Sequence, residues 1–218
     1  VSATSLHRVV AIDGPAASGK SSVARELARR LGFVYVNSGA MYRAVTWHVL
    51  RHAIPPNDGA AIADLVEKSQ IDCTLDRDGS RISIDGVDPS AHLRDHDVNG
   101  SVSLVSSVPR VREILVEKMR VYAKNHDVVM EGRDIGSVVF PHTPYKFYID
   151  ATPEVRLRRR TAEGQRDQIA ARDHADSSRQ ASPLIIAEDA HVIDSSHLPI
   201  DGVVDEIIGR LKMKGLII

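Results

Sequence analysis

Residues 8–22 read RVVAIDGPAASGKSS, and the rest of the chain can be organised outward from them. Arg8 to Asp13 is a short apolar run of the kind that forms a buried parallel strand. Gly14 to Ser21 then fits G-x-x-x-x-G-K-[ST] without a mismatch. Val23, Ala24, Leu27, Ala28 and Leu31 follow at helical spacing, and Gly32 stops the helix. Strand, glycine turn and amphipathic helix, in that order, form the setting in which this string cradles phosphate. The glycines let backbone N–H groups converge on an anion, and the helix start adds free N–H groups and a positive dipole end. Gly14, Pro15, Ala16, Ala17, Ser18, Gly19, Lys20, Ser21 and Ser22 are therefore expected to bind ATP. Lys20 would bridge the β- and γ-phosphates, and the Ser21 hydroxyl would ligate Mg2+. The plain alternative is a glycine turn with an exposed lysine, and the flanking strand and helix disfavour it.

Beyond this unit, Phe33 to Val36 reads as a second strand and Met41 to Leu50 as a helix. Pro55 to Gly59 breaks the chain, and Ala60 to Lys68 is a short helix. IDCTL and RISI then flank Asp76-Arg77-Asp78-Gly79-Ser80, a hairpin signal because Asp-Gly readily takes positive φ. Val108 to Lys124 is helical, with Pro109 in its first turn. Asp127 to Met130, Lys146 to Asp150 and Ala190 to Asp194 read as further strands. Pro153 opens an Arg-rich helix, and Ile200 to Lys212 forms a last amphipathic one. Residues 156–179 hold seven arginines against four acids. Strands separated by helices imply a parallel sheet with right-handed crossovers, and the hairpin implies an inserted subdomain.

Composition narrows the function classes. The 218 residues carry 28 lysines and arginines against 29 aspartates and glutamates, for a net charge of −1. That length implies one large domain, or one domain with an insertion. With 43% hydrophobic and 26% charged residues, it is an ordinary globular chain with a sizeable core. Near-neutral charge argues against a nucleic-acid polymer as partner, while leaving room for a local phosphate-binding patch. Cys73 is the sole cysteine, so no intramolecular disulfide forms, in keeping with a reducing compartment. No apolar run reaches the ~18–20 residues that span a bilayer. Val1 to Arg8 lacks the apolar stretch of a signal peptide. A cytoplasmic protein with no membrane partner is expected, monomeric by default. Asn-Lys-x-Asp, the guanine signal of GTPases, is absent, and a motor or helicase needs more chain. A small-molecule kinase remains, so an acceptor site with its own phosphate clamps is required.

Three segments supply acceptor candidates: Ser38 to Arg43, Glu131 to Gly136 and Arg172 to Arg179. The first two follow strands, at the end where open α/β sheets bind ligands. Together AIDGPAASGKS, NSGAMYR, SSVPRVRE, EGRDIGSVVFP and RDHADSSR, in that order, resemble the bacterial cytidylate (CMP) kinases of the nucleoside monophosphate kinase family. The resemblance covers nearly the whole chain. It implies an α/β fold: a P-loop NTPase-type five-stranded parallel sheet flanked by helices, with an inserted monophosphate-binding subdomain and a short lid. Residues 1–38, 106–155 and 181–218 would form the core, 39–105 the insert with its small hairpin, and 156–180 the Arg-rich lid.

The same resemblance implies residue roles. Arg43 and Arg133 look like the clamp on the acceptor phosphate, with Ser38 beside them; planar guanidinium forks suit a dianion. Ser103, Arg112, Asp134 and Arg179 resemble cytosine readers. Asp134 would match the cytosine amino group and repel the uracil carbonyl in its place. Asp176, oriented by Arg172, looks like the sugar-hydroxyl contact. Arg159 and Arg160 look like lid arginines that act with Lys20 on the transferring phosphoryl group. The implied reaction is ATP with CMP or dCMP giving ADP with CDP or dCDP. It needs no general base, because the attacking oxygen already belongs to an ionised phosphate. Two departures stand out: Asn37 takes the place of an expected Asp, and only Thr161 to Ala171 separates Arg160 from Arg172.

Other readings keep their place beside these. A kinase of another monophosphate or of a small alcohol such as shikimate shares the P-loop, and so does a non-enzymatic nucleotide switch. The pyrimidine-reading set disfavours the kinases, and the two acceptor arginines disfavour the switch. Arg156, Arg158, Arg159 and Arg160 could form a solvated helix face. His48/His52 and His92/His96 have zinc-compatible spacing without an obvious third ligand, so surface or partly buried histidines are expected. Asp150 could mimic a Walker-B carboxylate, but a strand-end or capping role is favoured. Cys73 reads as a small core residue. Tyr42 either packs near the acceptor or supports Arg43.

Overall fold

The apolar run at the start of the chain becomes the centre of the sheet. The computed structural model describes residues 7–76, 79–162, 173, 176–178 and 184–216. Strand β1 (Val9–Asp13) is buried throughout and pairs in parallel with β5 (Val128–Gly132) on one side and β6 (Tyr145–Asp150) on the other. Strands β2 (Val34–Asn37) and β7 (His191–Asp194) complete five parallel strands in the order β2-β5-β1-β6-β7. Such a strand needs apolar residues on both faces. Val9 and Ala11 enter the core on one side of the sheet, and Val10 and Ile12 the core on the other.

The second core is closed by α1 (Lys20–Leu31) and the last helix, α7 (Ile200–Met213), through Val23, Leu27, Val204 and Ile207. Gly32 ends α1 at φ 67°, and its N–H donates to the Ala28 carbonyl. The first core receives α2 (Ser38–Arg51), α3 (Gly59–Lys68) and α5 (Pro109–Asn125). It also receives the antiparallel hairpin of β3 (Ile71–Asp76) and β4 (Gly79–Ile84), through Ile71, Ile82 and Ile84. One apolar cluster thus runs from the sheet into the inserted residues.

Most elements lie within a few residues of their sequence expectation. Helix α2 begins earlier than Met41, because Asn37 caps it: its Oδ1 accepts from Ala40 N at 2.9 Å. Helix α4 (His96–Val105) has no counterpart in the sequence reading. Only Val98, Val102 and Val105 of it are buried, and an Asn-Gly pair, unfavourable in a helix, lies within it. A π-helical turn at Ile135–Val139 is equally unforeseen. Helix α6 (Pro153–Ala162) is the Arg-rich helix. Among the described residues, no helix is long and apolar enough to cross a membrane.

Candidate active site

Between β1 and α1 the chain makes the tight turn that the glycines promised. A Cβ on Gly14 would sit 2.1 Å from the Ile149 carbonyl oxygen of β6, so the turn can lie against the sheet only with glycine there. Lys20 is buried, and its ammonium donates to the Pro15 carbonyl at 3.0 Å, across the mouth of the loop. Ser21 is exposed at the start of α1, and its hydroxyl donates to Glu131 Oε1 at 2.8 Å. Ser18 is fully buried, and its carbonyl accepts from Ser195 Oγ at 2.7 Å.

Glu131 lies near the end of β5, the neighbour of β1; the sequence places it in an acceptor-candidate segment but gives it no role beside Ser21. The acid weighed there was Asp150. That residue ends β6 and accepts from the backbone N–H of Ala151 at 2.8 Å, so it is the strand-end residue that was favoured. The available signal for Glu131 was an acid terminating a wholly apolar run. Its Oε1 also accepts from the Tyr35 hydroxyl at 3.3 Å, and that hydroxyl accepts from Asn37 Nδ2 at 3.2 Å. The polarity of this chain has one solution. Because Asn37 Oδ1 caps α2, its Nδ2 must face Tyr35, and the phenol must donate to Glu131. Burial pushes the Tyr35 hydroxyl well above its ordinary pKa, with the Glu131 charge adding to the shift. The Arg25 guanidinium lies 4.6 Å above the Tyr35 ring.

The ends of β2 and β5 meet closely. Ser38 Oγ donates to the Glu131 carbonyl at 2.7 Å, and a Cβ on Gly132 would lie 2.4 Å from Ser38 Oγ. Arg43 donates to the Gly39 carbonyl at 3.1 Å, and its Nε reaches Asn99 Oδ1 on α4 at 3.5 Å. Arg133 donates to Asp176 Oδ2 at 2.7 Å and to the Gly14 carbonyl at 2.9 Å, joining the acceptor segment to the phosphate loop. Asp176 is almost wholly buried. Arg112 and Asp134 form a buried ion pair; Arg112 also donates to the Ser106 carbonyl at 3.1 Å and lies 5.3 Å over the Tyr42 ring. Tyr42 therefore packs beneath Arg112 and lines the acceptor end.

A single cleft of about 640 Å³ connects these groups. Ala16, Ala17, Gly19, Lys20, Ser21 and Ser22 line it from the glycine turn and the start of α1, and Ser38, Arg43, Ser103, Arg112, Arg133, Asp134 and Asp176 from the candidate acceptor segments and from α4 and α5. Arg160 joins the lining from α6. Among the described residues, eight lysines and arginines face three carboxylates there, in a chain whose net charge is −1. Such a concentration of charge fits a polyanionic ligand. Arg159 is not part of the lining: it donates to the Ser195 hydroxyl and carbonyl, beside Gly19. Arg156 is buried and bonds Asp173 at 2.5 Å and the Ala151 carbonyl at 3.1 Å, so α6 is not simply a solvated face. Arg172 and Arg179 lie outside the described residues.

The histidine pairs lie elsewhere. His48 is buried and bonds Ser69 at 2.8 Å, and burial lowers its pKa. His52 bonds the His48 carbonyl. His92 and His96 face Asp95 and Asp97. Cys73 is half-buried, and desolvation raises its thiol. His92 stacks 5.8 Å from Trp47, the chain's one tryptophan, which also lies under Arg51.

A family model described as cytidylate kinase matches residues 10–213. A protein named cytidylate kinase from Caldanaerobacter subterraneus subsp. tengcongensis is 44% identical over 214 residues, covering 93% of this chain and 94% of the relative. Another of that name from Mycobacterium leprae is 44% identical, covering 94% of this chain and 96% of the relative. Among solved structures, a sugar kinase from Janibacter sp. aligns with a TM-score of 0.50 at 16% identity, covering 94% of this chain and 95% of that one. That likeness concerns the α/β fold alone.

Proposed function

The chain belongs to the cytidylate kinase family, and on that footing we propose how its cleft moves the γ-phosphoryl group of ATP onto CMP. It is a nucleoside monophosphate kinase, and its products are ADP and CDP. One observation supports the residue roles above the others. One cleft is lined by Lys20 and Ser21 of the phosphate loop, by Arg43 and Arg133, and by the Arg112–Asp134 pair. Those are the groups that donor phosphates, an acceptor phosphate and a base would each need.

Residues 14–22 bind the phosphates of ATP, with Lys20 on the β- and γ-phosphates. The Ser21 hydroxyl and the Glu131 carboxylate, 2.8 Å apart, are the oxygen donors that a hard divalent cation prefers, and they would hold Mg2+ with ATP. When bound, that ion neutralises phosphate charge. Arg43 and Arg133 clamp the acceptor phosphate, and Ser38 fixes their neighbourhood through the Glu131 carbonyl. The buried Arg112–Asp134 pair reads the cytosine edge with Ser103: the carboxylate accepts from the amino group, and arginine and serine donate to N3 and O2. Asp176 meets the sugar. Phosphoryl transfer then depends on alignment and on cations around the transferring group, Lys20 and Arg160 among them. Arg159, held against Ser195, braces the phosphate loop from behind.

The test is ADP release with Mg·ATP against CMP, dCMP, UMP, AMP, GMP and shikimate. Fast turnover confined to CMP and dCMP is expected. Equal turnover of UMP would overturn the role of Asp134, and fast turnover of shikimate would overturn the acceptor site.

A further inference from the structure

The mechanism above leaves a buried ionisable group beside the phosphate loop without a task. Asp13 ends β1, immediately before Gly14, and is 5% exposed. Its two oxygens accept from the backbone N–H groups of Ile135 at 2.8 Å and Gly136 at 2.7 Å. Those amides open the π-helical turn that directly follows Arg133 and Asp134. On the other side, the Arg133 guanidinium returns to the Gly14 carbonyl at 2.9 Å. The phosphate loop and the acceptor segment are therefore tied twice, once through each member of Asp13-Gly14. A Cβ on Gly136 would come within 3.3 Å of the Asp13 carboxylate and 3.2 Å of the Lys146 side chain, so the turn is seated closely.

We propose that Asp13 is a positioning residue for phosphoryl transfer: it fixes the spacing between the ATP phosphates and the acceptor clamp by holding the turn behind Arg133 and Asp134. The proposal rests on the reading of Arg133 as a clamp on the acceptor phosphate. A carboxylate sets a separate acceptor oxygen before each amide, whereas an asparagine would put an N–H donor in place of one of them. Transfer depends steeply on alignment, and a displacement of ~1 Å can cost about 100-fold in rate.

Burial and the bonds to the turn act on Asp13 in opposite directions. Desolvation wins, pushing its pKa up to about 7, while the Ile135 and Gly136 amides pull it down. Asp134 adds to the rise and Lys20 opposes it; from β6 the Tyr148 hydroxyl faces the same region. A raised carboxyl pKa means that the folded state binds the proton more tightly than the unfolded chain. This group's contribution to stability is therefore full below about pH 4 and is lost as the pH rises towards 7. Ionised Asp13 is kept at a cost to folding, as expected of a group retained for alignment.

Asp13→Asn and Asp13→Ala are compared with Arg133→Ala in steady-state assays at pH 8, with melting curves to confirm folding. Both Asp13 variants should lower kcat by about 10- to 100-fold and raise the CMP KM, with the ATP KM within about twofold. Folded Asp13 variants with wild-type kcat and CMP KM overturn the proposal, and so does equal weakening of ATP and CMP. If Arg133→Ala leaves the CMP KM unchanged, the clamp reading itself fails, whatever the Asp13 variants do. Should neither Asp13 variant fold, amide resonances of the wild-type protein decide. Ile135 and Gly136 should shift together, with one common midpoint, as the carboxyl that both amides contact titrates; separate midpoints overturn the proposal.

Discussion

At the proposed donor end of the cleft, the lining groups come from one run, between Ala16 and Ser22. At the acceptor end they come from β2, α2, α4, α5, β5 and the neighbourhood of Asp176. The donor end is a turn shaped by glycine and packed against Ile149. The acceptor end is a set of buried side-chain pairs, Arg112 with Asp134 and Arg133 with Asp176. A backbone cradle needs only local geometry and suits any phosphate. Paired side chains from distant segments need the whole fold, but their donors and acceptors can match one base. On the roles proposed, catalysis is concentrated at one end and selectivity at the other.

If that division is right, changes at the two ends should differ in kind. Lys20→Ala should have the largest effect, lowering kcat by about 100- to 1,000-fold. CMP binding should persist, read from Trp47 fluorescence next to His92 in the insert; loss of CMP binding would break the division. Arg112→Ala should strike stability as well as the CMP KM, because it leaves Asp134 buried without its cation. A loss of about 3–5 kcal/mol is expected in chemical denaturation, and Asp134→Ala in the same chain should restore much of it. Asn37→Asp is the smallest and finest probe, because it touches the seam between the ends. Asp still caps α2, so the melting temperature should hold. A carboxylate cannot donate to Tyr35, however, and two carboxylates would then share one phenol hydrogen. At pH 8, kcat should change less than about threefold, while an acid limb absent from the parent should appear in its pH profile. An unaltered profile would show that Asn37 acts only as a cap.

The same division explains what could be read in advance. The β1-turn-α1 unit was legible because strand, glycines and helix period are adjacent, and the hairpin because Asp-Gly marks its turn. Arg133 and Asp134 stood out locally only as part of a segment that follows a strand; their separate roles came from the longer resemblance. Glu131 was hidden because its meaning depends on β5 lying beside β1, a neighbour distant in sequence. Asp13 read as the last residue of a strand, because its partners are backbone amides of a turn that has no sequence signature. Helix α4 was lost because three valines among polar residues and a glycine make too thin an apolar stripe.

The strand order has a consequence for how the protein is made. Val9 pairs with Val128, and Val10 with Tyr145, so β1 leaves a ribosome well before either of its partners. At ~5–20 residues per second, roughly 6–24 s pass before β5 exists to meet β1. For that interval VVAID is a bare β-forming segment with both edges open. Its brevity and the glycine turn that follows limit what else it can pair with. The central strand that later holds the phosphate loop is thus, during synthesis, the segment most in need of shelter.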